Sequence, residues 1–245
     1  RPIKTLCFSK NIHHKLLDDI KIFLSKDVEK EYTEYGIPYK YNILLEGYPG
    51  TGKSSIIHCL ASELNMNIAS ISFDEKMNDL ALIKAIKRLP AGTILCLEDI
   101  DVLFKKRKEN EFNSSLTFSG LLNILDGPAS INKQIIIMTT NYCCNLDSAL
   151  IRPGRIDNII HFDYSDKEQI KLIYYKFFNK NNIDENVLFD NFNKFYNNIK
   201  FLKTTSAILQ AFFFTYRNDN ILNHIEELKK TISKNNYDTN DSLYT

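Results

Sequence analysis

Gly47, Tyr48, Pro49, Gly50, Thr51, Gly52, Lys53 and Ser54 read GYPGTGKS, which fills every specified position of the pattern GxxxxGK[ST]. Glycines in such a stretch let the backbone turn tightly and aim N–H groups at a β-phosphate. A lysine at the position of Lys53 reaches the β- and γ-phosphates, and the hydroxyl of Ser54 is a ligand for Mg²⁺. The loop, together with Ser55, is therefore expected to bind ATP with Mg²⁺. A second group is Glu98-Asp99-Ile100-Asp101, placed directly after the apolar run TILCL. In nucleotide hydrolysis one such carboxylate holds Mg²⁺, and a second orients and deprotonates the attacking water. Asn141, after QIIIMTT, brings a neutral amide suited to holding a water or the γ-phosphate without adding negative charge. Arg152-Pro153-Gly154-Arg155 sets two cations in a short turn, where they can neutralise charge developing on a transferred phosphoryl group.

Placing these groups requires strands that end beside one another. Asn42 to Glu46 reads as a short apolar strand leading into the glycine-rich loop, and Ser54 to Leu64 as the helix leaving it. Asn67 to Ser72 alternates as a second strand. A helix from about Asn78 carries Leu82, Ile83, Ile86 and Leu89 on one face and stops at Pro90. Thr93 to Leu97 and Gln134 to Met138 are continuous apolar runs of the kind found in parallel strands covered on both faces, with a helix, Ser114 to Leu125, between them. Strands alternating with helices predict an α/β fold with a parallel sheet, whose C-terminal edge collects the candidate residues. Upstream, Asn11 to Ser25 is an amphipathic helix. Its neighbours His13 and His14 point about 100° apart and read as surface residues rather than metal ligands.

From Ser165 the character changes. A capping box of Ser165 and Glu168 opens a helix, and Val187 to Tyr196, Thr205 to Tyr216 and Ile221 to Ile232 read as further helices with no strand among them. The run Phe212-Phe213-Phe214 is expected inside this helical part or against a neighbouring subunit. After Lys234 the chain turns polar, a tail expected to fray. The expected division is 1–163 for the α/β part, 164–234 for the helical part and 235–245 for the tail.

Composition narrows the partners. With 44% hydrophobic and 25% charged residues, 245 residues suffice for one large core and a smaller one. A net charge of +1 supplies no global field for nucleic acid or an anionic membrane, and Lys105 to Lys108 reads as a solvated loop. The five cysteines are odd in number and lack metal-ligand spacing, so they are expected to be reduced and mostly buried, in an intracellular compartment. No apolar run approaches the roughly 18 residues of a membrane span. The chain begins at Arg1 with no signal-like segment, and reads as a piece of something longer.

In order and spacing, the glycine-rich loop (Walker A), the acidic strand end (Walker B), the TTN strand end and LDSALIRPGRID resemble AAA ATPases and their second region of homology. YGIPYKYNILLEGYPGTGKSS, LEDID, LTFSGLLNILDG and MTTNY resemble more closely the BCS-type AAA proteins, whose mitochondrial members help assemble respiratory complex III. The resemblance runs from Arg1 to about Asp163. It implies a P-loop NTPase sandwich with a C-terminal helical lid, ATP hydrolysis, and a homo-oligomeric ring of about six or seven subunits in which Arg152 and Arg155 face a neighbour's nucleotide. It also implies a protein substrate moved folded across a membrane, no nucleic acid, a mitochondrial inner-membrane location, and membrane contact only through a part absent from this chain. By resemblance Glu98 takes the Mg²⁺ position and Asp99 the catalytic-base position. The wider family has Asp-Glu here, and the Glu98-Asp99 order leaves open a nucleotide-gated scaffold with slow or no hydrolysis. A nucleic-acid motor is the third reading, disfavoured by the balanced charge. The segment Ser72 to Asn78 has one aromatic and no glycine, so Phe73 is expected to close the strand rather than grip a threaded chain.

Lys53→Ala removes the one side-chain cation the loop supplies, so titration with a fluorescent ATP analogue is expected to detect no saturable binding. Parent-like affinity would overturn the loop's assignment.

Overall fold

The computed structural model describes residues 2–8, 12–72, 78–101, 117–126, 133–141, 149–152, 154–179 and 184–244. Phe73, Lys105–Lys108, Cys143-Cys144, Leu146–Ser148 and Pro153, all singled out by sequence, lie outside the described residues. The chain divides into two compact units. One comprises Arg1–Leu6, Ile12–Gly47 and Lys53–Phe162; the other comprises Cys7–Asn11, Tyr48–Gly52 and Asp163–Thr245.

The first unit is built on five parallel strands: β1 (Lys40–Gly47), β2 (Asn67–Ser72), β3 (Thr93–Glu98), β4 (Gln134–Thr140) and β5 (Asn158–Phe162), in the order β2-β3-β4-β1-β5. Every residue of β4 is buried, as its unbroken apolar run requires of a central strand. Among the described residues five helices accompany the sheet: α1 (Ile12–Phe23), α2 (Lys26–Glu34), α3 (Lys53–Glu63), α4 (Asp79–Lys87) and α5 (Phe118–Asp126). Alternation along the strands sends Leu44, Leu95, Leu97, Ile136 and Met138 to one face, where Leu82 and Ile86 of α4 and Leu121, Ile124 and Leu125 of α5 cover them. Helix α3 packs beside β2 and β4 and buries Ile56, Ile57 and Leu60.

Three local features differ from the sequence expectations. The helix Lys26–Glu34 buries no residue and so carries no hydrophobic stripe to read; Ser25 Oγ caps it by accepting from Val28 N (3.4 Å), and the Tyr32 ring meets Phe23 edge-on at 6.0 Å. Strand β5 is a half-exposed edge whose two isoleucines are adjacent rather than alternating, and it is too short for a periodicity signal. His13 is buried rather than at the surface, and burial, then the adjacent His14, lowers its pKa.

The second unit holds α6 (Lys167–Phe178), α7 (Glu185–Ile199), α8 (Ser206–Thr215), a 3₁₀ turn at Ile221–His224, and α9 (Ile225–Tyr244), which continues through the polar stretch after Lys234. Asp166, not Ser165, caps α6: its Oδ1 accepts from Gln169 N at 2.8 Å, while Ser165 N donates to Thr204 O. The core is aromatic, with Phe213 fully buried among Phe195 (5.2 Å), Phe178 (5.4 Å) and Tyr174 (5.7 Å). Phe212 is buried too, whereas Phe214 is exposed with the Arg217 guanidinium 4.4 Å above its ring.

Phe213→Ala is expected to destabilise the protein by about 3–5 kcal/mol, the scale for emptying a fully buried aromatic site. Equilibrium urea unfolding followed by tyrosine fluorescence checks it; a loss below about 1 kcal/mol would contradict the packing.

Candidate nucleotide-hydrolysis site

The sheet half of the site starts where β1 ends. Gly47 sits at φ +135°, and a Cβ there would lie 1.9 Å from the Phe162 carbonyl oxygen, so only glycine lets β1 leave this close to β5. Lys53 opens α3 with a buried ammonium, which must be given acceptors. It donates to Gly47 O at 2.7 Å and to Asn141 Oδ1 at 2.8 Å. With its oxygen held by the cation, the Asn141 amide turns its nitrogen to Asp99 and donates to Oδ1 at 3.1 Å. Lysine, asparagine and aspartate thus form one hydrogen-bonded chain across the ends of β1, β3 and β4.

Asp99 is held in an unusual backbone state. Its φ is +50°, and its N–H donates to Thr139 Oγ1 at 3.0 Å. Partial desolvation raises its carboxyl above the ordinary value, and Asp101 pushes it further up; Lys53 opposes, Glu98 adds a smaller rise, and the Asn141 hydrogen bond lowers it. Glu98 turns toward the neighbouring strand, its Oε1 accepting from Ser70 Oγ at 2.5 Å. Cys96 lies beneath, its thiol pushed up to about 12 by burial and the two acids.

Asp101 was not among the site residues expected from the sequence. It is buried, and its Oδ1 accepts from Thr140 Oγ1 (3.2 Å) and from Asn141 N (3.4 Å), which seats the amide that bridges Lys53 and Asp99. The signal was present in the acid two places after Asp99, but the pairing across to β4 is tertiary. Cys59 and Cys96 are buried and Cys7 half-buried.

Tyr48–Gly52, the turn of the loop, packs with the helical unit. Gly50 O accepts from Ala207 N (3.0 Å) and Ser206 Oγ (3.2 Å) at the start of α8. Thr51 Oγ1 donates to Tyr48 O at 2.7 Å, and the Tyr48 ring stacks on Tyr164 at 4.1 Å. Gly52 has φ +109°, and a Cβ there would come within 2.9 Å of the Phe8 ring. Pro49 is exposed, Ser54 exposed and Ser55 half-buried in the first turn of α3. These residues fit Mg·ATP. The left-handed turn at Gly52 leaves no room for a side chain, Lys53 supplies a cation, and one hydroxyl with the carboxylates is the oxygen donor set a hard divalent cation takes alongside phosphate and water.

The arginine turn lies elsewhere. Arg155 is half-buried; its Nε pairs with Asp126 Oδ2 at 2.5 Å and its Nη1 donates to Ala149 O at 2.6 Å. Arg152 is exposed. Asp157 N donates to Asn42 O, and Asn158 stands opposite Ile43, so the turn sits at the edge where β1 begins. From Ile43 to Gly47 the strand climbs about 13 Å, which separates these cations from Lys53, Asn141 and Asp99.

A parallel sheet in this order, with a GxxxxGK[ST] loop after β1, acids after β3 and an amide after β4, defines a P-loop nucleoside triphosphatase. Residues 43–164 match the family model described as ATPase family associated with various cellular activities (AAA). The chain is 40% identical over 188 residues to a probable mitochondrial chaperone BCS1-A of Dictyostelium discoideum, covering 73% of this chain and 44% of that protein. It is 35% identical over 244 residues to the mitochondrial chaperone BCS1 of Homo sapiens, covering 94% of this chain and 56% of that one. The chain therefore belongs to the AAA family, and within it to the BCS type. It spans about half the length of the curated relatives it matches. Among the described residues no helix is long and apolar enough to cross a membrane.

Asp99→Asn is expected to keep nucleotide affinity while lowering turnover by about a hundredfold or more, the scale of losing a general base. Normal hydrolysis by this variant, with an inactive Glu98→Gln, would exchange the two roles.

Proposed function

We propose that the chain is the motor of a ring-forming chaperone that hydrolyses Mg·ATP to move or remodel a protein substrate. The observation that carries this reading is the hydrogen-bonded chain Lys53–Asn141–Asp99 at the sheet edge. It aligns a phosphate-binding cation, a neutral amide and a carboxylate, the three functions a hydrolytic NTPase needs beside its loop. When bound, ATP would supply the phosphoryl group and Mg²⁺ would offset part of the charge on its oxygens. Residues Gly47, Tyr48, Pro49, Gly50, Thr51, Gly52, Lys53, Ser54 and Ser55 would hold the phosphates, and Ser54 and Glu98 would hold the metal. Asp99 takes the proton of the attacking water, while Asn141 orients that water and Asp101 keeps Asn141 in place.

No arginine adjoins Asp99 among the described contacts, and the arginine turn is at the opposite edge of the sheet. That separation supports a reaction completed by a second copy, with Arg152 reaching the neighbour's nucleotide and Arg155 bracing the turn. The relatives' names, mitochondrial chaperones, support a protein substrate and a mitochondrial setting. The inner membrane follows only from the resemblance to the BCS type, with any membrane contact made through other parts of the protein.

Subunit mixing tests the shared site. Arg152→Ala and Lys53→Ala chains, each inactive alone, are expected to regain ATPase activity when co-assembled, because mixed interfaces pair an intact loop with an intact arginine; an arginine supplied in trans is worth about a thousandfold in rate. No recovery in mixtures proven to co-assemble would argue for arginines acting in cis.

A further inference from the structure

Helix α5 lies between β3 and β4 in the chain, and in a parallel sheet such a crossover runs from the C-terminal edge back to the N-terminal edge. Its nine residues span about 13 Å, roughly two thirds of the about 20 Å that the seven residues of β4 climb. Both ends are held by charged groups from other elements. At the start, Thr117 N and Thr117 Oγ1 each donate to the Asp79 carboxylate at 2.8 Å, and Thr117 Oγ1 in turn accepts from Gly120 N at 2.9 Å. Gly120 has no side chain because the Asp79 carboxylate occupies that space; a Cβ would lie 2.2 Å from its Oδ1. At the other end the last turn meets cations: Lys40 Nζ donates to Leu125 O, and Arg155 pairs with Asp126. An anion at the N-terminus and cations at the C-terminus are the signs that the helix dipole favours. Between the two ends Leu121, Ile124 and Leu125 are buried against the sheet, so the helix cannot bend without opening the core.

The two anchors tie the helix to different elements. Asp79 is the first residue of α4, directly after its cap Asn78. Asp126 grips Arg155, three residues from Arg152 in the turn at the far edge. We infer that α5 is a rigid strut whose end carboxylate contacts, Asp79 with Thr117 and Asp126 with Arg155, couple the start of α4 to the arginine turn. Asp79 and Asp126 are then positioning residues that act through Arg155 on the neighbour's nucleotide, a role that rests on the proposed trans action of the turn. Cutting either anchor disconnects the strut, and a second cut then changes little more.

A double-mutant cycle in the full chain, assembled as it is in solution, tests this with Asp79→Ala, Asp126→Asn and the combined variant. Each single change is expected to lower kcat about tenfold with KM for ATP within about twofold, and the combination is expected to cost about the same tenfold. Asp126→Glu, which keeps a carboxylate for Arg155, is expected to restore most of the rate. Should Asp79→Ala fail to fold, Thr117→Val removes one bond of the same contact and takes its place. Losses that multiply to about a hundredfold, or singles that leave kcat unchanged, would overturn the strut. Arg152→Ala, measured alongside, separates the two failures. A parental rate for Arg152→Ala would remove the trans reading itself, and an inactive Arg152→Ala beside a multiplicative cycle would remove only the coupling.

Discussion

A buried ammonium is the constraint around which the sheet half of this protein is arranged. Lys53 has left bulk water, and an unpartnered cation there would cost several kcal/mol. Its acceptors come from two strands, Gly47 O at the end of β1 and Asn141 Oδ1 just past β4. Both are available only because the strands are neighbours that finish level, with Glu46 opposite Thr140. Gly47 must also let β1 leave against the Phe162 carbonyl of β5. Once the amide oxygen of Asn141 belongs to the lysine, its nitrogen can only face outward as a donor, and Asp99 is the acceptor it meets. Strand order, a glycine and one cation together decide which way a neutral amide points.

The opposite edge obeys the same rule with other residues. Asn42 is fully buried in β1, and its backbone and side-chain nitrogens donate to Asp157 Oδ2 (2.7 Å) and to Arg155 O (2.8 Å). Lys40, also buried, is spent on the last turn of α5, and burial lowers its pKa, with Asp126 and Asp157 opposing that fall. These bonds fix the course of the arginine turn before β5. The two edges therefore carry separate polar networks, joined within the unit by a sheet and helices that are apolar in between.

The helical unit contributes by another route. Its core is filled by rings from α6, α7 and α8, which bury large area with little rotamer entropy. Onto the start of α8 it draws the backbone of Gly50, and onto Tyr164 the ring of Tyr48, so the turn of the phosphate-binding loop shares the packing of this unit while Gly47 and Lys53 belong to the other.

Much of this was legible in the chain. GYPGTGKS carries its chemistry in residue type and spacing, the apolar runs of β3 and β4 declare buried parallel strands, and helices α3, α4 and α8 begin within a residue or two of their periodic stretches. Elements held by few contacts were not legible: α2 has no apolar stripe, and β5 is a strand because β1 offers it a free edge. Nor could spacing reveal that Asp101 seats Asn141, that Phe8 lies against Gly52, or that Arg155 is already paired with Asp126. By itself the sequence determined the fold class, the phosphate-binding loop and the inventory of reactive groups, because these depend on local periodicity and on residues close together in the chain. Which of those groups meet, and which stand at opposite edges, was decided by strand order and register, set by long-range burial that no local window records.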